Sequence, residues 1–120
     1  MRRSWNGKAI GIIVLATAAT AACGGAPPPN DKLTAAVAAL RSAREVGAET
    51  TPQASLHLKL ADEAINKAKA LIKDGDNKRA EYTLIRAKAD AELALSLAKE
   101  ASAKAEAQSA ADQIKSLQNQ

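Results

Sequence analysis

Side chains able to do chemistry are sparse in this sequence, and each stands apart from the others. Cys23 is the only cysteine and His57 the only histidine. A metal site needs several convergent ligands, and His57 has Leu60 at i+3 and Ala61 at i+4 on its own helical face. It is expected as a surface or boundary side chain. Asp74-Gly75-Asp76 opens like a calcium loop, but later ligand positions hold Lys78 and Ala80 where side-chain oxygen donors are expected. The triplet therefore reads as a helix stop followed by a new cap. Tyr82 is the one aromatic beyond the N-terminal segment, too few for a stacking platform for nucleic acid. No strand pattern precedes a Gly-rich phosphate loop. These residues point away from an enzyme and imply no metal, no cofactor and no small-molecule substrate.

The surroundings of Cys23 are more informative than the thiol alone. A basic stretch from Met1 to Lys8 precedes an apolar one from Ala9 to about Thr20, and small residues, Thr20-Ala21-Ala22, lead into Cys23. That is the layout of a secretory signal. From Ala9 to Ala22 a helix reaches only ~21 Å, short of a ~30 Å hydrocarbon core, so a permanent span is not expected. A lone cysteine in an exported chain has no disulfide partner. Small residues directly before such a cysteine resemble the bacterial lipobox, in which the thiol is joined to diacylglycerol, the chain is cut before the cysteine and the new amino group is acylated. Thr20 stands where Leu is usual. Several acyl chains on Cys23 would hold the protein stably on a bilayer, where one chain gives only marginal affinity. Ordinary signal cleavage after Ala21 or Ala22 is the competing reading. Gly24 follows the cysteine in place of the Asp that retains lipoproteins at the inner membrane of enteric bacteria, so the resemblance implies the periplasmic face of the outer membrane.

Charge supports that division of the chain. The 17 basic and 13 acidic residues give +4, but Arg2, Arg3 and Lys8 lie in the N-terminal segment and every acidic residue lies after it. Beyond the segment, 17 − 3 = 14 basic residues face 13 acidic ones, a balance that gives no electrostatic case for binding nucleic acid.

The rest must be helical. Alanine supplies 30 of the 120 residues, phenylalanine is absent, and alanine forms helix better than any other residue. Residues 1–22 read as a lipoprotein signal, and 23–30 as the lipidated cysteine with a Gly/Pro tether. In polyproline II, residues 24–30 would reach up to ~20 Å; an unstructured leader of no set length is the alternative. Residues 31–120 read as one all-α domain. Its first helix is expected at about 32–46, capped by Asn30 or Asp31 and stopped at Gly47. Thr51-Pro52 opens a second at 52–73, as N-cap and N1. Gly75 stops it, and Asp76 caps a third at about 77–117.

Helices two and three share a period. Ala54, Leu58, Ala61, Ile65, Ala68 and Ile72 fall at alternating spacings of four and three, and so do Ala80, Leu84, Ala87, Ala91, Ala94 and Ala98. These heptad seams predict a tight antiparallel hairpin that dominates a three-helix arrangement. Ala101 and Ala105 continue the pattern. Glu63–Lys67, Glu100–Lys104, Arg41–Glu45, Arg86–Asp90 and Lys88–Glu92 are expected i,i+4 pairs on wet surfaces. Helix two is long enough to cover helix three only to about Ala98. Beyond it, Ala103, Ala107, Ala110, Ile114 and Leu117 form a weaker stripe out of register with the seam; it is the candidate contact surface, with fraying of an exposed terminus as the alternative reading.

The stretch from about Leu33 to Ala107, with Ala43, Arg44, Gly47 and Ala48 before Pro52, then Leu60, Ala61, Ala64 and Ala68, then Gly75, Asp76 and Ala80, then Ala87, Ala91 and Leu93, resembles a family of Ala-rich helical domains of unknown function in lipoproteins of Gram-negative bacteria. In some members the domain precedes an OmpA-like peptidoglycan-binding domain. No such domain follows here before Gln120, so peptidoglycan binding is not carried over. The chain is also similar to the small coiled-coil murein lipoproteins, but Asn119-Gln120 stand where those carry the terminal Lys that joins the cell wall. The resemblance implies a structural or adaptor lipoprotein of the envelope, held to the bilayer through acylated Cys23 and contacting another envelope protein or itself. A self-assembling lipoprotein that uses the end of helix three, and a soluble periplasmic binding or chaperone-like module with unmodified Cys23, are the alternatives.

Overall fold

A computed structural model describes residues 25–119 as an all-helical bundle. Its elements are α1 (Asn30–Glu45), α2 (Pro52–Lys73) and α3 (Asn77–Gln118). No strand occurs among the described residues, and no described helix is long and apolar enough to cross a membrane.

Two glycines set the topology. Each sits at positive φ, 81° for Gly47 and 79° for Gly75, a region that a side chain penalises and glycine enters freely. After α1, the Gly47 amide donates to the Arg44 carbonyl and the Ala48 amide to the Ala43 carbonyl. After α2, Gly75 donates to Ile72 and Asp76 to Leu71. Both are Schellman closures, which satisfy carbonyls that a helix end otherwise leaves open. The Asp76 side chain then accepts from the Arg79 amide at 3.3 Å, so a three-residue turn both ends α2 and starts α3. Asp76 Oδ2 also receives Arg79 Nη1 at 3.0 Å.

The other two starts differ in detail from the sequence expectation. The α1 cap position belongs to Pro29, not to Asn30 or Asp31, because the Leu33 amide closes the first turn on the Pro29 carbonyl at 3.0 Å. Asn30, assigned to the tether from the sequence, is thus the first residue of α1. Thr51 does occupy the α2 cap position, but its side chain makes no capping hydrogen bond. Its carbonyl accepts from the Ser55 amide at 2.8 Å, and Pro52 removes one of the amides that a cap would serve.

Fifteen buried apolar side chains form one cluster along the bundle, and eleven of them are alanine. Leu40, Leu58, Ile65 and Leu84 are the only large members. Each alanine removes little surface from water, so cohesion comes from many close backbone approaches in place of a few bulky anchors. α1, whose place was open from the sequence, lies mainly against α3 and less against α2. It contributes Ala36, Leu40 and Ala43 to the cluster, with Leu33 and Val37 half-buried beside it. Lys32 meets Glu81 at 3.3 Å near the starts of both helices, and Arg44 reaches Asp62 of α2 at 3.4 Å.

Candidate functional site

The seam positions are together as the heptads require. Leu58, Ala61, Ile65 and Ala68 of α2 and Ala80, Leu84, Ala87, Ala91, Ala94 and Ala98 of α3 are all buried in the one cluster. Ile72, one residue before the end of α2, is only half-buried and packs against the edge of the cluster. Ala101 is likewise half-buried and Ala105 is exposed. The seam stops at the level where α1 ends and α2 begins.

Past that level the helix continues alone. Every residue from 102 to 119 is exposed, including Ala103, Ala107 and Ala110, with Ile114 at 56% and Leu117 at 69% of full exposure. These five share one side of the helix, and Ala103 borders an open groove with Val46 at the end of α1. At its root the free segment carries a Lys104–Glu100 ion pair, and the lysine's hydrogen bond and charge hold the Glu100 carboxyl below its ordinary value.

One polar contact inside the bundle was not expected. His57 Nδ1 donates to Asp90 Oδ1 across the α2–α3 interface at 3.1 Å, with the two side chains 27% and 17% exposed. Arg86 Nε lies 3.7 Å from the other Asp90 oxygen. Burial raises the worth of such a link by excluding competing water. A search limited to one helix face missed it, since the partners lie 33 residues apart. Reflection through the Gly75 turn was the available signal: it sends position 57 to 93, less than one turn from Asp90. The contact is a strut between helices. Among the described residues no three His, Cys, Asp or Glu side chains group as metal ligands. Asp74 and Asp76 serve the turn, the former as the end of α2 and the latter as the cap of α3.

The expected i,i+4 pairs divide. Lys104–Glu100, Arg86–Asp90 and Lys88–Glu92 form. Glu63 turns back to Lys59 at 3.9 Å instead of forward to Lys67, and Arg41 and Glu45 do not pair, while the neighbouring Arg44 takes Glu49 and Asp62 together. The surface depressions are open grooves; one, between α2 and α3, is lined by Leu60, Ala64, Tyr82 and Arg86.

The chain enters the bundle at the end opposite the free helix. Asn77 Nδ2, at the start of α3, donates to the Ala26 carbonyl at 2.6 Å, and the Asn30 amide donates to the Pro28 carbonyl at 2.9 Å. The Pro-rich segment is thereby docked beside the Gly75 turn, which shortens the free span that its sequence suggested. Cys23, Thr20, Ala21 and Ala22 lie outside the described residues.

Residues 31–110 match the family described as Domain of unknown function (DUF4398). The chain belongs to that family. The DUF4398 match takes in α1, α2 and α3 as far as Ala110, so it covers the whole packed bundle and the first part of the exposed segment. No curated protein and no solved structure gives a significant match.

Proposed function

We propose that this DUF4398 protein is a lipid-anchored envelope protein with a structural or adaptor role, tethered through Cys23 at the periplasmic face of the outer membrane. Support for the anchor comes from the sequence: a basic stretch, an apolar stretch too short to span, and small residues before a lone cysteine. The observation that carries the role is the separation of the two ends. The segment leading from Cys23 is fixed beside the start of α3 by Asn77, whereas the exposed apolar stripe lies on the far part of a 42-residue helix, ~39 to ~60 Å along its axis at 1.5 Å per residue. A slender rod held at one end and bare at the other suits contact at a distance from the membrane.

Mass spectrometry of the native N-terminus tests the anchor. The expected terminus is Cys23 carrying acyl chains, with the protein in the detergent phase on partitioning and Cys23→Ser moving it to the aqueous phase. A native protein wholly in the aqueous phase with a free Cys23 thiol, or with a terminus beyond Cys23, overturns the reading in favour of a soluble periplasmic module.

A further inference from the structure

The chain reaches α1 through a bend that aims it back at α3. Pro29 has φ −81° and ψ 59°, and the Asn30 amide donates to the Pro28 carbonyl at 2.9 Å, which together make an inverse γ-turn. The pyrrolidine ring holds φ in this range whether or not the chain is folded, so half of the bend is already set by the residue type. It carries Ala26 onto the first residue of α3, where Asn77 Nδ2 donates to the Ala26 carbonyl at 2.6 Å. Asparagine at a helix start is ordinarily a cap. Here Asp76 caps, accepting from the Arg79 amide, and Asn77 Oδ1 is buried with no donor among the described residues. The hydrogen bonding of the Asn77 side chain is therefore given to the incoming chain. Beside it Lys32 and Glu81 pair at 3.3 Å, which joins α1 to α3 at the same end of the bundle.

We propose that Asn77 is a clasp that sets how far the bundle stands from its lipid anchor, with the Gly75 turn as the membrane-proximal end. This role rests on acylation of Cys23. Ala26 follows Cys23 by three residues, at most ~11 Å of extended chain, whereas an open clasp leaves six residues to the bend at Pro29, up to ~22 Å. Closing the clasp halves the leash. A flexible leader lets a domain turn over above its anchor, but with Ala26 held at Asn77 the Gly75 end cannot exchange places with the far end of α3. Asn77 is thus a positioning residue, acting through Ala26 on the whole rod.

The test is made on the acylated protein in lipid vesicles, with a donor fluorophore on Lys73→Cys, an exposed position at the end of α2, and an acceptor dye on the lipid headgroups. Energy transfer is expected to be strong, and Asn77→Asp to weaken it as the label moves outward by up to ~11 Å. That variant keeps the shape of the side chain and places a favourable charge at a helix start, so the melting temperature is expected to hold while the donor is lost. Asn77→Ala is expected to weaken transfer to the same extent. The mature chain with Cys23→Ser reads the clasp without the lipid: NMR cross-relaxation between the Asn77 side-chain amide and Ala26 is expected. Its absence, or equal energy transfer with and without the Asn77 amide, would overturn the proposal. Cross-relaxation in a native protein that does not bind vesicles would remove the anchor, and the stand-off role with it, and leave the hydrogen bond standing.

Discussion

The two halves of α3 are equally rich in alanine and have opposite fates. Between Ala80 and Ala98 its seam alanines are buried, with Ala89 on the outer face, and from Ala103 to Ala110 its alanines are exposed. Alanine content therefore does not decide burial in this molecule. Phase and partners do: the first half keeps its alanines in register with Leu58 and Ile65 of α2, and the second half offers Gln108, Asp112 and Lys115 at the equivalent positions. The second half persists as helix through the propensity of alanine and the local Lys104–Glu100 and Gln108–Asp112 contacts, each worth a few tenths of a kcal/mol.

That contrast breaks first at the large side chains. Leu84→Ala opens a cavity where no exposed surface existed and is expected to cost about 3 kcal/mol, whereas Leu117→Ala, at 69% exposure, is expected to cost under about 0.5 kcal/mol. Thermal or urea unfolding monitored by circular dichroism measures both; similar losses would mean that the free segment is packed in solution. Enlargement should reveal the same boundary. Ala91→Leu forces α2 and α3 apart and is expected to cost about 2 kcal/mol, and Ala107→Leu is expected to be neutral in the monomer.

Smaller still is the strut. His57→Ala and Asp90→Ala are each expected to cost about 1–2 kcal/mol, and the double variant to cost less than their sum, because one contact is removed twice. Additive losses would show that the two side chains act separately. The least effect belongs to Glu100. Its carboxyl is held below the ordinary value of 4.5 by Lys104, so the pair's contribution is complete above 4.5 and fades as pH falls through the lowered value. Because the ion pair is solvent-exposed, Glu100→Gln is expected to leave the melting temperature within about one degree at neutral pH. The measurement that checks it is the same melt at pH 7 and pH 3, with any difference between the two chains confined to the higher pH.

Much of this architecture was legible in the residues. A period of 3.5 over Leu58 to Ile72 and Ala80 to Ala98 can be satisfied only by two helices facing each other, and Gly47 and Gly75 mark turns because the backbone there adopts positive φ. The length mismatch between α2 and α3 made the free end a matter of counting. What escaped depends on contacts between distant positions. The place of α1 did not follow from its short stripe, the His57–Asp90 contact crosses 33 residues, and the docking of Ala26 on Asn77 crosses 51. A hydrogen bond of that kind leaves no periodic trace, since it needs one side chain at one place.

α3 crosses from the packed half to the bare half without a glycine or proline after Gly75, and so without a hinge of the usual kind. It works as a lever. From Ala98 to Gln118 the arm is ~30 Å long at 1.5 Å per residue, so a tilt of about five degrees where α1 and α2 grip the helix sweeps its tip by ~3 Å. Strain applied at the tip returns to the alanine grip with the same mechanical advantage.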